Sequence, residues 1–180
     1  MKINRVVISD FWYNLKHFFK NVVKWLPIIW KDRDWDHSYI MYALRFKIKN
    51  TADYIEKHNR YEGCEIDVQR MRLACTLITA INEESYCYEY QDYYVQTLAV
   101  VDHKLTSTLE SNTLQDFFKK YPNDFKKAHK IAIARYNRIP DNIPDIPDIT
   151  IALIMSKVRH EKAKRVLFKL LEYNIERWWD

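Results

Sequence analysis

Trp30-Lys31-Asp32-Arg33-Asp34-Trp35-Asp36-His37 interleaves carboxylates with cations and indoles, and it separates two long segments whose apolar residues recur at helical spacing. Upstream, at about 100° per residue, Phe11, Trp12, Leu15, Phe18, Phe19, Val22, Val23, Trp25 and Leu26 share one half of a helical wheel. Lys16, His17, Lys20 and Lys24 share the other half. The segment 1–30 is therefore read as an amphipathic N-terminal helix, clearest over 10–26, capped at Ser9 or Asp10 and ended or kinked by Pro27. Docking onto the protein's own core is the ordinary use of such a face, although a membrane-surface anchor has the same composition. Downstream, Asp36 is placed to cap a second helix running to about residue 58, with Tyr39, Ile40, Ala43, Leu44, Phe46, Tyr54 and Ile55 on its buried side. Asp32 and Asp34 add favourable charge near that helix N-terminus.

Working outward, the 180 residues suffice for one domain, 1–180, with a real core. Gly63 is the single glycine, and no Asn-Gly or Asp-Gly dipeptide is present to close a hairpin. The expectation is an all-α, single-domain helical bundle of about six helices with a long C-terminal helix. Gly63 reads as the turn between helices two and three, and the third runs from about Glu65 to beyond Asp92, with Ile66, Leu73, Leu77, Ile81, Tyr88 and Val95 in one arc. An antiparallel pairing about Gly63 sets Glu84 and Cys87 beside the start of helix two. Residues 99–112 either continue helix three or break it near Ser107 to Asn112. Thr113 with Asp116 resembles a capping box for a short helix that stops at Tyr121-Pro122, and Asn123 can cap a helix over about 124–138. Ile-Pro-Asp recurs three times in 139–148, which predicts a stiff, extended connector. The last helix covers 149–179 and runs into Trp178-Trp179-Asp180.

Charge is distributed unevenly. Residues 51–110 carry 11 acidic against 5 basic side chains, and residues 116–169 carry 13 basic against 6 acidic, within a net charge of +5. Such a distribution favours an anionic partner for the C-terminal half. The candidate ligand-binding residues are Lys126, Lys127, Lys130, Arg135, Arg138 and Tyr136 on one helix, with Arg159, Lys162 and Arg165 on the last. Phe117, Phe118, Tyr121, Phe125 and Tyr136 are the aromatics that could stack a base. A solvated basic face is the plainer alternative. Nucleic acid is a conceivable partner, but no sequence-reading motif is present. Cys64, Cys75 and Cys87 lack the spacing of a zinc site or a disulfide framework, which suits a reducing cytosol. Neither a signal peptide nor a membrane span is visible, since Lys16, His17, Lys20 and Lys24 interrupt the apolar run.

Two carboxylate constellations invite a metal. Asp32-x-Asp34-x-Asp36 opens like a calcium loop, yet the positions that need Gly and Glu hold His37 and Ala43. Asp32, Asp34, His37 and Glu84 remain as a candidate mixed oxygen and nitrogen site, against a simpler account in which the carboxylates cap a helix and pair with Arg33 or Lys47. Glu62-x-x-Glu65 and Glu89-x-x-Asp92 resemble the paired carboxylates of MazG-type nucleoside triphosphate pyrophosphohydrolases. That resemblance implies four carboxylates facing Mg²⁺ and a triphosphate, although Gly63 interrupts the first pair where the family has continuous helix. No nucleophile motif is present, and no cofactor is expected outside the Mg²⁺ alternative.

Trp30-x-Asp32-x-Asp34-Trp35-Asp36 together with the terminal Trp178-Trp179-Asp180 resembles uncharacterised helical proteins encoded by tailed phages. The resemblance covers the two ends and implies a small accessory protein acting in a bacterial host cytoplasm. The reading that follows is a non-enzymatic phage protein that binds an anionic nucleotide-type ligand, or a host or defence protein, and so blocks it. The alternatives are the MazG-like enzyme and a virion or assembly component. Self-association into a homo-oligomer is compatible with any of them.

Overall fold

The computed structural model describes residues 5–101, 104–136 and 146–178. Among these, seven α-helices are present: α1 (Arg5–Ile29), α2 (Ser38–His58), α3 (Cys64–Asn82), α4 (Ser85–Tyr88), α5 (Leu114–Lys120), α6 (Pro122–Tyr136) and α7 (Asp148–Asn174). Short 3₁₀ turns occupy Glu89–Asp92 and Glu176–Trp178, and two strands, β1 (Tyr94–Val101) and β2 (Lys104–Asn112), lie between α4 and α5. Residue contacts cluster in two compact units, Met1–Lys47 and Ile48–Asp180, with the division falling inside α2.

In the first unit, α1 runs through Pro27 to Ile29, so the proline neither ends the helix nor stops the Trp30 amide from reaching the Leu26 carbonyl at 2.9 Å. The acidic stretch then closes as turns: the amides of Lys31 and Asp32 donate to the carbonyls of Ile28 and Ile29, and Arg33 donates to the Asp32 carbonyl at 2.7 Å. Asp36 does the work its position predicts. Its Oδ1 accepts the Ser38 amide at 2.9 Å, satisfying one of the orphan donors at the start of α2, and that backbone bond holds its carboxyl below the usual range. Trp25 meets Phe46 edge to face with ring centroids 4.9 Å apart. Within its own unit most of the apolar face of α1 is left exposed, Phe11, Trp12, Phe18, Phe19 and Val23 among it.

In the second unit, α3 buries Val68, Met71, Ala74, Ile78 and Ile81, a stripe at three- and four-residue spacing. Arg72 on α3 reaches Asp53 at 2.6 Å and Glu56 at 2.8 Å on α2, the pairing expected for an antiparallel turn about Gly63. The core continues through Leu114, Phe117 and Phe118 of α5, Ala128 and Ala132 of α6, and Ile151, Ala152, Ile154 and Met155 of α7. Ala128 and Ala132 are fully enclosed and present no bulk, which lets α6 lie close along α7. Trp178 is buried at the end of α7, whereas Trp179, Asp180 and the connector residues 139–145 lie outside the described residues.

The fold is mostly helical but not all-α, because β1 and β2 pair as a two-stranded antiparallel sheet. Tyr94 pairs with Asn112 and Val101 with Lys104, with an irregularity between Val95 and Gln96. Helix three also stops earlier than its periodicity suggests. It ends at Asn82, and Glu84 follows with φ 51, a left-handed conformation that a helix does not continue through. Ile66 and Leu73, placed by the longer arc on the buried side, are exposed. The capping box at Thr113 does not form, since its hydroxyl donates to the Tyr93 carbonyl at 3.3 Å. Pro122, not Asn123, opens α6, at the first-turn position that costs no hydrogen bond.

Candidate functional site

α6 and α7 pack along one another with Asp124 of α6 paired to Lys162 of α7, and a groove lies between them. Asp124, Lys127 and Arg135 project from α6; Lys157, Glu161, Lys162 and Arg165 project from α7 at helical spacing; Leu153, Ile154 and Val158 form the floor. The volume is about 460 Å³, within the range that holds a small ligand. Five cations thus face two carboxylates. Both acids are partly engaged: Asp124 takes Lys162 at 3.1 Å, and Glu161 takes Lys164 at 3.5 Å. Among the described residues, none is joined by an ion pair or side-chain hydrogen bond to Lys127, Arg135, Lys157 or Arg165. Each of these four is exposed.

Beside the groove lies a smaller pocket of about 270 Å³, lined by Leu77, Tyr86, Tyr121, Arg159, Ala163 and Val166. Asp124 and Lys162 belong to both, so their ion pair is the ridge between a basic compartment and an aromatic one. The aromatic compartment is held rigid by one carboxylate. Glu89 accepts Tyr121 Oη at 2.6 Å, Lys120 Nζ at 3.0 Å and Arg159 Nη1. The Arg159 guanidinium lies 3.5 Å from the Tyr121 ring centroid, stacked as well as paired. Burial pushes the Glu89 carboxyl up, but hydrogen bonds from Tyr121, Arg159 and Lys120 outweigh it and hold the group below its usual value. The same bond to Glu89 raises the Lys120 ammonium.

The residues singled out from the sequence separate into three groups. Lys127, Arg135, Lys162 and Arg165 line the groove. Lys126, Lys130 and Tyr136 are on α6 but outside its lining, and Arg138 lies outside the described residues. Arg159 is buried and committed to Glu89, so it builds the wall and is not an open cation. Of the stacking aromatics, Phe117 and Phe118 are core residues, and Tyr121 alone lines the aromatic compartment, joined there by Tyr86. Lys157, the start of the basic segment on α7, lines the groove as well, and Tyr86 is the lining residue that no sequence signal singled out.

Asp32, Asp34 and His37 are exposed on the turn before α2, and Glu84 is exposed at the end of α3. Among the described residues, no group of three or more His, Cys, Asp and Glu side chains is placed to hold a metal ion. In the pyrophosphohydrolase-like set, Glu62 sits in the turn before Gly63 and Glu65 in the first turn of α3, so the two do not share a helix. Glu89 and Asp92 do share the 3₁₀ turn, where residues three apart eclipse, but Glu89 is already engaged by three donors. Comparison with protein-family models, with curated proteins and with solved structures finds no match. No helix among the described residues is long and apolar enough to cross a membrane.

Proposed function

We propose that this chain is a small non-enzymatic accessory protein, of the kind its two ends resemble in tailed phages, that captures an anionic nucleotide-type ligand. The phosphates lie among Lys127, Arg135, Lys157 and Arg165, and the base enters the aromatic compartment beside Tyr86 and Tyr121. The observation that supports this most is the groove itself: four exposed cations with no ion-pair partner among the described residues, around a concave apolar floor. A solvated basic face spreads its charge, whereas these cations converge on one cavity of ligand size. The adjoining aromatic compartment explains why the ligand carries a ring as well as charge.

Sequestering such a ligand in a host cytoplasm denies it to the host or to its defence, which is how a binding protein with no reaction of its own acts. A calorimetric screen across mono-, di- and cyclic nucleotides tests the reading. The expected result is saturable binding to at least one of them that weakens as salt is raised. A flat response across the panel at low salt refutes it.

A further inference from the structure

The groove leaves unexplained the exposed aromatic face of α1. Phe18 is 58% exposed, Phe19 60% and Val23 72%, on a helix whose apolar band spans roughly 160° of the wheel at about 100° per residue. A coiled-coil seam is narrower and is built of aliphatic side chains, whereas this band carries phenylalanines at both 11 and 12 residues' remove from Trp30. Trp12 stands near one margin of the band and is exposed, the placement of an indole at a water–hydrocarbon boundary. The opposite face carries Lys16, Lys20 and Lys24, and between residues 10 and 29 the only acid is Asp10. A large aromatic face backed by lysines is complementary to one surface above others, an anionic lipid bilayer. No described helix is long and apolar enough to span a bilayer, so a surface is the geometry such a face would meet.

We infer that α1 is a membrane-surface helix that places its aromatic face at the boundary between headgroups and acyl chains of an anionic bilayer, with Lys16, Lys20 and Lys24 against the lipid phosphates. Nothing in this depends on the α6–α7 groove. The site needs Phe11, Trp12, Phe18, Phe19 and Val23, which their own unit leaves exposed.

Flotation of the full chain with vesicles tests it directly. The chain is expected to float with mixed phosphatidylglycerol–phosphatidylcholine vesicles and much less with phosphatidylcholine alone. Phe18→Glu/Val22→Glu, which changes exposed positions, is expected to lower the partition at least about tenfold with helicity retained by circular dichroism. Lys16→Glu/Lys20→Glu/Lys24→Glu keeps the aromatic face, so it serves even if the first variant misfolds, and it is expected to lose about a hundredfold on anionic vesicles. Failure to float with either vesicle overturns the inference, whether the face is covered by the rest of the chain or by nothing. Flotation that both variants leave unchanged also overturns it. So does a wild-type dimer that Phe18→Glu/Val22→Glu converts to monomers without any flotation, which would assign the face to a second copy.

Discussion

Replacing Glu89 by Gln removes the one charge on which Tyr121, Lys120 and Arg159 converge while keeping the shape of the side chain. The side chains of Arg159 and Glu89 are 9% and 19% exposed, so water can do little to solvate the guanidinium left behind. Breaking a fully buried pair costs about 3–5 kcal/mol, and the residual exposure here together with the amide's remaining capacity to accept brings the expectation to about 2–4 kcal/mol. Urea unfolding monitored by circular dichroism reads that number as a shift in midpoint at constant slope. The pH dependence gives a second reading. Glu89 titrates below its ordinary 4.5, so its contribution is fully present above about that pH and is lost as pH falls through the depressed folded value. Wild type should therefore lose stability on the acid side more steeply than Glu89→Gln. Arg159→Met should cost a similar amount, and the double variant should cost less than the sum by at least about 1 kcal/mol. If Glu89→Gln lies within about 0.5 kcal/mol of wild type, or the two acid limbs superimpose, the network does not hold the aromatic compartment together.

Other consequences are simpler to state. Ala132 is fully enclosed where α6 lies along α7, so Ala132→Leu should destabilise by about 1–3 kcal/mol through overpacking, measured by the same urea titration. Leu167, also fully buried, should cost about 2–5 kcal/mol on truncation to Ala. Burial, with Glu84 nearby, pushes the Cys87 thiol up, so its alkylation by iodoacetamide should be slow at neutral pH and should accelerate only above the ordinary thiol range, as peptide mass mapping would show. A Cys87 that reacts fastest of the three cysteines at neutral pH would contradict that environment.

What the sequence made legible was local. The Asp36 cap needs only a carboxylate two residues before an amide, and it is there. The α2–α3 turn needed Gly63 in a left-handed conformation, and Gly63 has φ 78. The strand pair is not marked by any Asn-Gly or Asp-Gly dipeptide in the sequence. Tyr94, Val95, Thr97, Val100, Thr106 and Thr108 are β-branched or aromatic residues that suit strands. Glu84 and Asn59, at φ 51 and φ 41, likewise turn the chain without glycine. In the site, the helical charge pattern found α6 and α7 but not which cations face each other. Arg159 belongs to the basic run by sequence and to Glu89 by packing, a contact across 70 residues that periodicity does not reveal. Lys157 opens the basic segment Lys157 to Arg165 by sequence, and its place in the groove follows from the stripe it shares with Ile154, Val158 and Glu161.

The central claim is that the α6–α7 groove, and not the basic surface at large, holds the anion. Calorimetry of Lys157→Glu/Arg165→Glu beside Lys126→Glu/Lys130→Glu tests it, because each double variant reverses two charges but only the first pair lines the cavity. For whichever nucleotide the wild-type chain binds, the groove variant should lose at least about tenfold per charge-assisted hydrogen bond removed, while the second variant retains affinity apart from a small, salt-screened loss. Equal losses in the two variants, or unchanged binding in the groove variant, would contradict the account.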